Sequence, residues 1–200
     1  MNKNRLEAFS DGVIAILITI MVLELKIPHG DDLSVIKPLT PVFLTYVLSF
    51  VYLGIYWNNH HHMFQMARHI NGKIMWANLH LLFWLSLVPF TTGWMGENHF
   101  APLPTAVYGF VLLCSALAYT VLQTLIIAHH KGEADELAIA IGHDLKGKLS
   151  MALYVMAIIC AFINQWISDA IYVAVAAMWI IPDPRIERRL GHEPQKNNAL

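Results

Sequence analysis

An ionisable side chain set into an apolar helix constrains this chain more than any other feature. Residues 5–25 read RLEAFSDGVIAILITIMVLEL, with Ser10 and Asp11 near one end and an unbroken apolar run from Gly12 to Leu23 in which Thr19 is the only hydroxyl. A lipid bilayer accepts a helix because every backbone group is bonded internally. A carboxylate within it is costly and faces a bundle interior or an aqueous path. At the helical repeat, Gly12, Ile16, Thr19 and Leu23 follow one another at steps of four, three and four, on a single stripe. Such a stripe suits ordinary helix packing or the wall of a narrow, poorly wetted pore, and periodicity does not choose between them.

Only 14% of the 200 residues are charged and 56% are hydrophobic. A soluble domain carries about a quarter charged residues, so the composition implies an all-α, polytopic membrane protein. A net charge of −1 lacks the basic face that nucleic acid requires. Cys114 and Cys160 lie in apolar runs and read as small buried hydrophobes, not as a disulfide or metal ligands. The segment before the first apolar run is only weakly basic and no A-x-A-like exit follows, so the first helix is expected to remain in the mature protein.

Six spans are expected in a single transmembrane domain over 1–200, at about 6–27, 41–63, 74–95, 103–129, 149–166 and 169–181. Pro28-His29-Gly30 stops the first, and Pro89 breaks or kinks the third. The last two come from one long apolar stretch divided at Asn164-Gln165 and Ser168-Asp169, with a tight turn between them. With the N-terminus inside, inner segments hold Lys3, Arg5, Arg68, Lys73, Lys131, Lys146, Lys148, Arg185, Arg188, Arg189 and Lys196. Outer segments hold Lys26 and Lys37, a ratio of 11 to 2. This positive-inside bias places both termini in the cytoplasm.

Arg5 and Asp11 are six residues apart and point to different helix faces, so each is expected to find a partner on another helix, with direct ion binding by Asp11 as the alternative. Ser10 suits a local hydrogen bond. His60, His61 and His62 spread over about 200° of helix and lack the i, i+4 spacing of paired ligands. They read as interfacial groups with one or two in a polar network, as do His129 and His130. His80 lies inside the third span and asks for a partner: a group on the first span, a haem, or a proton relay. Glu24 and Glu97 fall toward the outer surface, where a ring of carboxylates would concentrate cations around an axis.

The pattern R-x-x-x-F-S-D at Arg5, Phe9, Ser10 and Asp11, followed by V-L-E-L-K-I-P from Val22, resembles the signature of the transmembrane protein 175 family. Y-W-x-x-H-H at Tyr56, Trp57, His60 and His61 and L-x-P-F-T from Leu87 are similar to that family as well. The likeness covers the chain through the third span; beyond it only hydropathy and length agree. The resemblance implies endolysosomal potassium channels and their single-repeat prokaryotic relatives. In these, six-span subunits form a homotetramer whose first helices line a central pore without a T-V-G-Y-G filter. It implies a hydrophobic layer at Ile16, with Thr19, Leu23 and Ile20 as further pore positions and conducted potassium near Ile16 and Thr19. It also implies a structural polar network of Arg5, Phe9, Ser10 and Asp11, to which His80 is added here.

The expected function is therefore passive potassium-selective conduction in a prokaryotic plasma membrane. The expected partners are the bilayer, potassium ions and further copies of the chain, with no cofactor, resident metal or catalytic constellation. Two other classes remain open: a haem-binding membrane redox protein, and a proton-coupled cation transporter using intramembrane Asp and His.

Overall fold

The computed structural model describes residues 2–67, 69–129 and 145–180. Arg68, His130, Lys131, Ile181 and the C-terminal Arg185, Arg188, Arg189 and Lys196 of the charge count lie outside them. Among the described residues the only regular structure is helical: α1 (Lys3–Leu23), α2 (Thr40–Met66), α3 (Gly72–Ser86), α4 (Val88–Glu97), α5 (Pro102–His129), α6 (Leu145–Ala161) and α7 (Gln165–Ile180). Short 3-10 turns at Leu33–Val35 and Lys37–Leu39 precede α2. Among the described residues four stretches are long and apolar enough to cross a membrane: Lys3–Leu23, Leu33–Gln65, Gly72–Glu97 and Pro102–His129. At 17 and 16 residues, α6 and α7 span only about 25 Å each.

Local chemistry sets the ends. The Asn2 side chain caps α1 by accepting from the Asn4 N–H at 3.1 Å. At its far end α1 stops at Leu23, short of the expected 27. The Leu25 N–H turns back to the Val22 carbonyl at 3.2 Å, and Pro28 holds the residue before it out of the helical region. The third span is two helices. Pro89 has no N–H to give to the preceding turn, and the ladder breaks at Leu87, whose N–H bonds the Trp84 carbonyl at 3.2 Å. Asn71 caps α3 through the Ile74 N–H at 2.9 Å.

The turn into α7 falls at 162–164, earlier than the sequence suggests. Asn164 accepts from the Trp166 N–H at 3.1 Å, starting the helix there. Ser168 and Asp169, read from sequence as part of the interruption, lie inside α7. The Ser168 hydroxyl donates across to the Ala157 carbonyl of α6 at 2.6 Å, so its polarity serves a helix contact and not a turn.

Two apolar cores run through the bundle. One joins α1, α2, α3 and α5 around Ile14, Leu17, Leu53, Phe64, Leu81 and Leu122. The other joins α2, α5, α6 and α7 around Tyr52, Tyr108, Leu112, Tyr154, Tyr172 and Val175. Between membrane helices the hydrophobic effect adds little, so close contact and hydrogen bonds decide packing. Gly109 is such a contact: a Cβ there would overlap the Tyr172 hydroxyl and lie 2.8 Å from its Cζ. The Tyr172 hydroxyl donates to the Thr105 carbonyl at 3.0 Å, and Tyr52 donates to the Tyr172 carbonyl at 2.7 Å.

Candidate functional site

Helix α1 has two opposed faces. Leu6, Ser10, Ile14, Leu17 and Met21, at steps of four, four, three and four, are buried against the bundle. The opposite stripe runs Arg5, Phe9, Gly12, Ile16, Thr19 and Leu23, all exposed, with Ile16 at 57% and Leu23 at 80%. Ile20, 40% exposed, sits at its margin and also lines a cleft between α1 and α4. The Thr19 hydroxyl donates to the Ile16 carbonyl at 2.8 Å, which fixes its rotamer and leaves the oxygen's lone pairs facing outward.

The buried face is held by a directional polar chain. The Ser10 hydroxyl donates to the Leu6 carbonyl at 2.9 Å and accepts from Asn78 Nδ2 at 2.9 Å. Asn78 Oδ1 is thereby the acceptor toward His60 Nε2, 2.7 Å away, so His60 carries its proton on Nε2. Its Nδ1 has no hydrogen-bond partner, which a bare ring nitrogen tolerates better than a buried N–H would. The His60 ring stacks on Phe64 at 4.4 Å. All three residues are fully buried.

A second set of contacts ties the N-terminal half of α1 to α2. Trp57 Nε1 donates to Asp11 Oδ1 at 3.1 Å. His61 Nδ1 lies 3.0 Å from Glu7 Oε1, with Gln65 on the other ring nitrogen at 2.8 Å, and Trp57 stacks on His61. At the opposite end of the bundle, Lys26 Nζ meets Glu97 Oε1 at 2.6 Å.

Ser10 and Asp11 thus sit in the polar contacts of α1, with the partners on other helices expected of an intramembrane carboxylate. Arg5 and Phe9 do not. Both are exposed on the stripe of Ile16, Phe9 at 52%, and Arg5 makes no side-chain hydrogen bond or ion pair among the described residues. His80 does not reach the first helix either. It lies on the exposed side of α3 and accepts from Trp84 Nε1 at 2.9 Å.

The residue that does reach α1 is Asn78, two positions earlier and therefore about 200° away around the helix. Its register was available in the sequence: Ile74, Asn78, Leu81 and Leu85 make the apolar stripe of α3, which His80 falls off. Glu7, Trp57, His60, His61 and Asn78 join the site only once the helices are placed side by side. Among the described residues, no three His, Cys, Asp or Glu side chains are grouped to hold a metal ion.

The chain is similar to known proteins along most of its length. Residues 5–89 match the family model of the endosomal/lysosomal potassium channel TMEM175. A potassium channel of Chryseobacterium sp. is 53% identical over 190 residues, covering 95% of this chain and 98% of that one. A potassium channel of Chamaesiphon minutus is 30% identical over 188 residues, covering 86% and 90%. The fold matches the crystal structure of a lysosomal potassium-selective channel TMEM175 homolog from Chamaesiphon minutus with a TM-score of 0.71. That match is 26% identical and covers 90% of this chain and 96% of the other. The R-x-x-x-F-S-D helix, the Y-W-x-x-H-H segment bonded to it and the all-helical bundle around them belong together: this chain is a member of the TMEM175 family.

Proposed function

We propose that the chain is the subunit of a passive, potassium-selective cation channel, a homotetramer whose four α1 helices ring a central pore. The observation that carries this is the division of α1. One face is fixed to α2 and α3 through Ser10, Asn78, His60, Asp11 and Trp57, while the opposite stripe lies exposed among the described residues. Relatives named as potassium channels supply the permeant ion.

The chemistry of the stripe fits the task. Rings of Ile16 and Leu23 make a neck that excludes water when narrow. Ions cannot cross it with their shells, and Thr19 oxygens at an intermediate level replace part of the lost hydration. Ile20, at the margin, narrows the same stretch. Asp11, held by an indole N–H beside the buried chain of Ser10, positions the helix. Its role is structural and not that of an ion ligand.

The excess of Lys and Arg on inner segments supports a subunit with both termini in the cytoplasm of a prokaryotic cell. A proton relay through Asp11 and His80 gains no support among the described residues, where Asp11 accepts from Trp57 and His80 from Trp84.

Single-channel recording of the reconstituted protein in asymmetric potassium and sodium tests the reading. Wild-type current should reverse near the potassium potential. Ile16→Asn should wet the neck, raise conductance for both ions and move the permeability ratio toward the ratio of their mobilities in water. Thr19→Val should lower selectivity with the pore still narrow. Unchanged conductance and selectivity in both variants, and in Leu23→Asn, would remove α1 from the ion path.

A further inference from the structure

The outer end of α1 carries a charge arrangement that the constriction does not use. α1 ends at Leu23, the last residue of its exposed stripe, and Glu24 and Lys26 follow within three positions. Lys26 turns to α4, where its ammonium meets the Glu97 carboxylate at 2.6 Å with both side chains more than half exposed. The hydrogen bond and charge of Glu97 hold the Lys26 ammonium above its ordinary lysine value, and Glu24 adds to this. Glu24 and Glu97 line a single cleft of 520 Å³ between α1 and α4, which Ile20 also lines. Each subunit therefore brings two carboxylates and one ammonium to the same place, beside the end of the helix assigned to the pore.

An exposed ion pair of this kind adds little stability. Its electrostatic consequence is larger, because a lysine beside a cation pathway repels the ions the pathway must collect, and a fourfold ring multiplies the repulsion. We propose that Glu97 masks Lys26 at the outer mouth, leaving Glu24 as the uncompensated charge, and that this pair sets the local cation concentration that feeds the constriction. The proposal rests on the reading of α1 as the pore helix. Asp31, Asp32 and Lys37, in the connection from α1 to α2, contribute a background that the substitutions below leave alone.

The sign of the effect separates a charge mask from a structural tie. If Lys26–Glu97 only held α1 to α4, Glu97→Gln and Lys26→Gln would break the same contact and change the current in the same direction. As a mask, Glu97→Gln uncovers four ammonium groups and lowers inward potassium current. Lys26→Gln uncovers four carboxylates and raises it. Four unit charges about 10 Å from the ion, screened over about 30 Å at 10 mM salt, change the current roughly sevenfold. At 1 M salt, with screening over about 3 Å, the change falls below about 1.5-fold.

The experiment is unitary inward potassium current through the reconstituted full-length channel at 10 mM and 1 M KCl. Wild type, Glu97→Gln, Lys26→Gln, the double variant and Ile16→Asn are compared. Opposite shifts for the two single variants at low salt, cancelled in the double variant and collapsed at high salt, support the mask. Shifts of the same sign, or none, with Ile16→Asn still raising conductance, overturn the mask and leave the pore reading standing. No response in any variant, Ile16→Asn included, overturns both.

Discussion

Asn78→Leu is the sharpest test of how α1 is held. Asn78 bridges Ser10 and His60, with both contacts and all three residues buried. Leucine keeps the approximate volume and removes both bonds. The two losses are unequal. Ser10 keeps its own donor bond to the Leu6 carbonyl and forfeits only an incoming N–H, a small cost. His60 is left with a buried Nε2–H and no acceptor, which costs about 1–3 kcal/mol.

Interhelical hydrogen bonds in membranes contribute about 0.6 kcal/mol on average and at most about 1.7. The total is therefore about 2 kcal/mol per subunit, a factor of roughly thirty in the folding equilibrium. Removing the stranded donor as well should recover most of it, because replacing both partners of a buried bond by apolar groups is close to neutral. His60→Phe combined with Asn78→Leu is thus expected to be more stable than Asn78→Leu alone. The assay is the denaturation midpoint of purified protein in a mixed detergent series, followed by helical circular dichroism. If Asn78→Leu matched wild type, or if adding His60→Phe destabilised it further, the Ser10–Asn78–His60 chain would not be what fixes α1.

Other expectations follow from burial and close contact. Gly109→Ala should destabilise by about 1–3 kcal/mol in the same assay, since its Cβ overlaps the Tyr172 hydroxyl, whereas Gly54→Ala, with nothing within 4 Å, should be neutral or slightly stabilising. With Cys114 and Cys160 replaced, cysteine at Ile16 or Leu23 should let thiol reagents alter the current, and cysteine at Ile14 or Met21, both at most 2% exposed, should not. Equal sensitivity at all four would contradict the two-faced reading of α1. His80→Ala removes one exposed contact to Trp84 and should shift the denaturation midpoint by less than about 0.5 kcal/mol, well below the effect of Asn78→Leu.

Hydropathy integrates over some twenty residues, which is why the long helices α2 and α5 and the all-helical class were readable from the chain alone. Pro89 was readable for a different reason: a missing N–H acts locally whatever surrounds it, so the break before α4 needed no knowledge of neighbours. Ser168 and Asp169 misled because a polar residue facing another helix looks in sequence like one facing water. The same ambiguity drew attention to His80, the conspicuous intramembrane histidine, and away from Asn78, which occupies the stripe that packs on α1. Arg5 and Phe9 belong to the exposed stripe of α1, and the six-residue gap between Arg5 and Asp11 excluded a pairing without saying where either group went. The Glu7–His61 and Trp57–Asp11 contacts depend on α1 lying against α2, an adjacency that no periodicity within one segment encodes.

The break at Leu87 has a mechanical consequence. The N-terminal half of α1 is pinned by Asn78 on α3, while the chain just past its C-terminal end is tied by Lys26 to Glu97 on α4. A continuous third helix would turn these two attachments into points on one rigid strut, so that any tilt at one would be copied at the other. With the strut broken between them, α1 is attached to two separate helices of 15 and 10 residues, joined at a bend that the Thr91 N–H still bridges to the Leu87 carbonyl at 3.1 Å. Its two ends are thus referred to helices that run in different directions, and the bend in the third span sets the line the first takes between them.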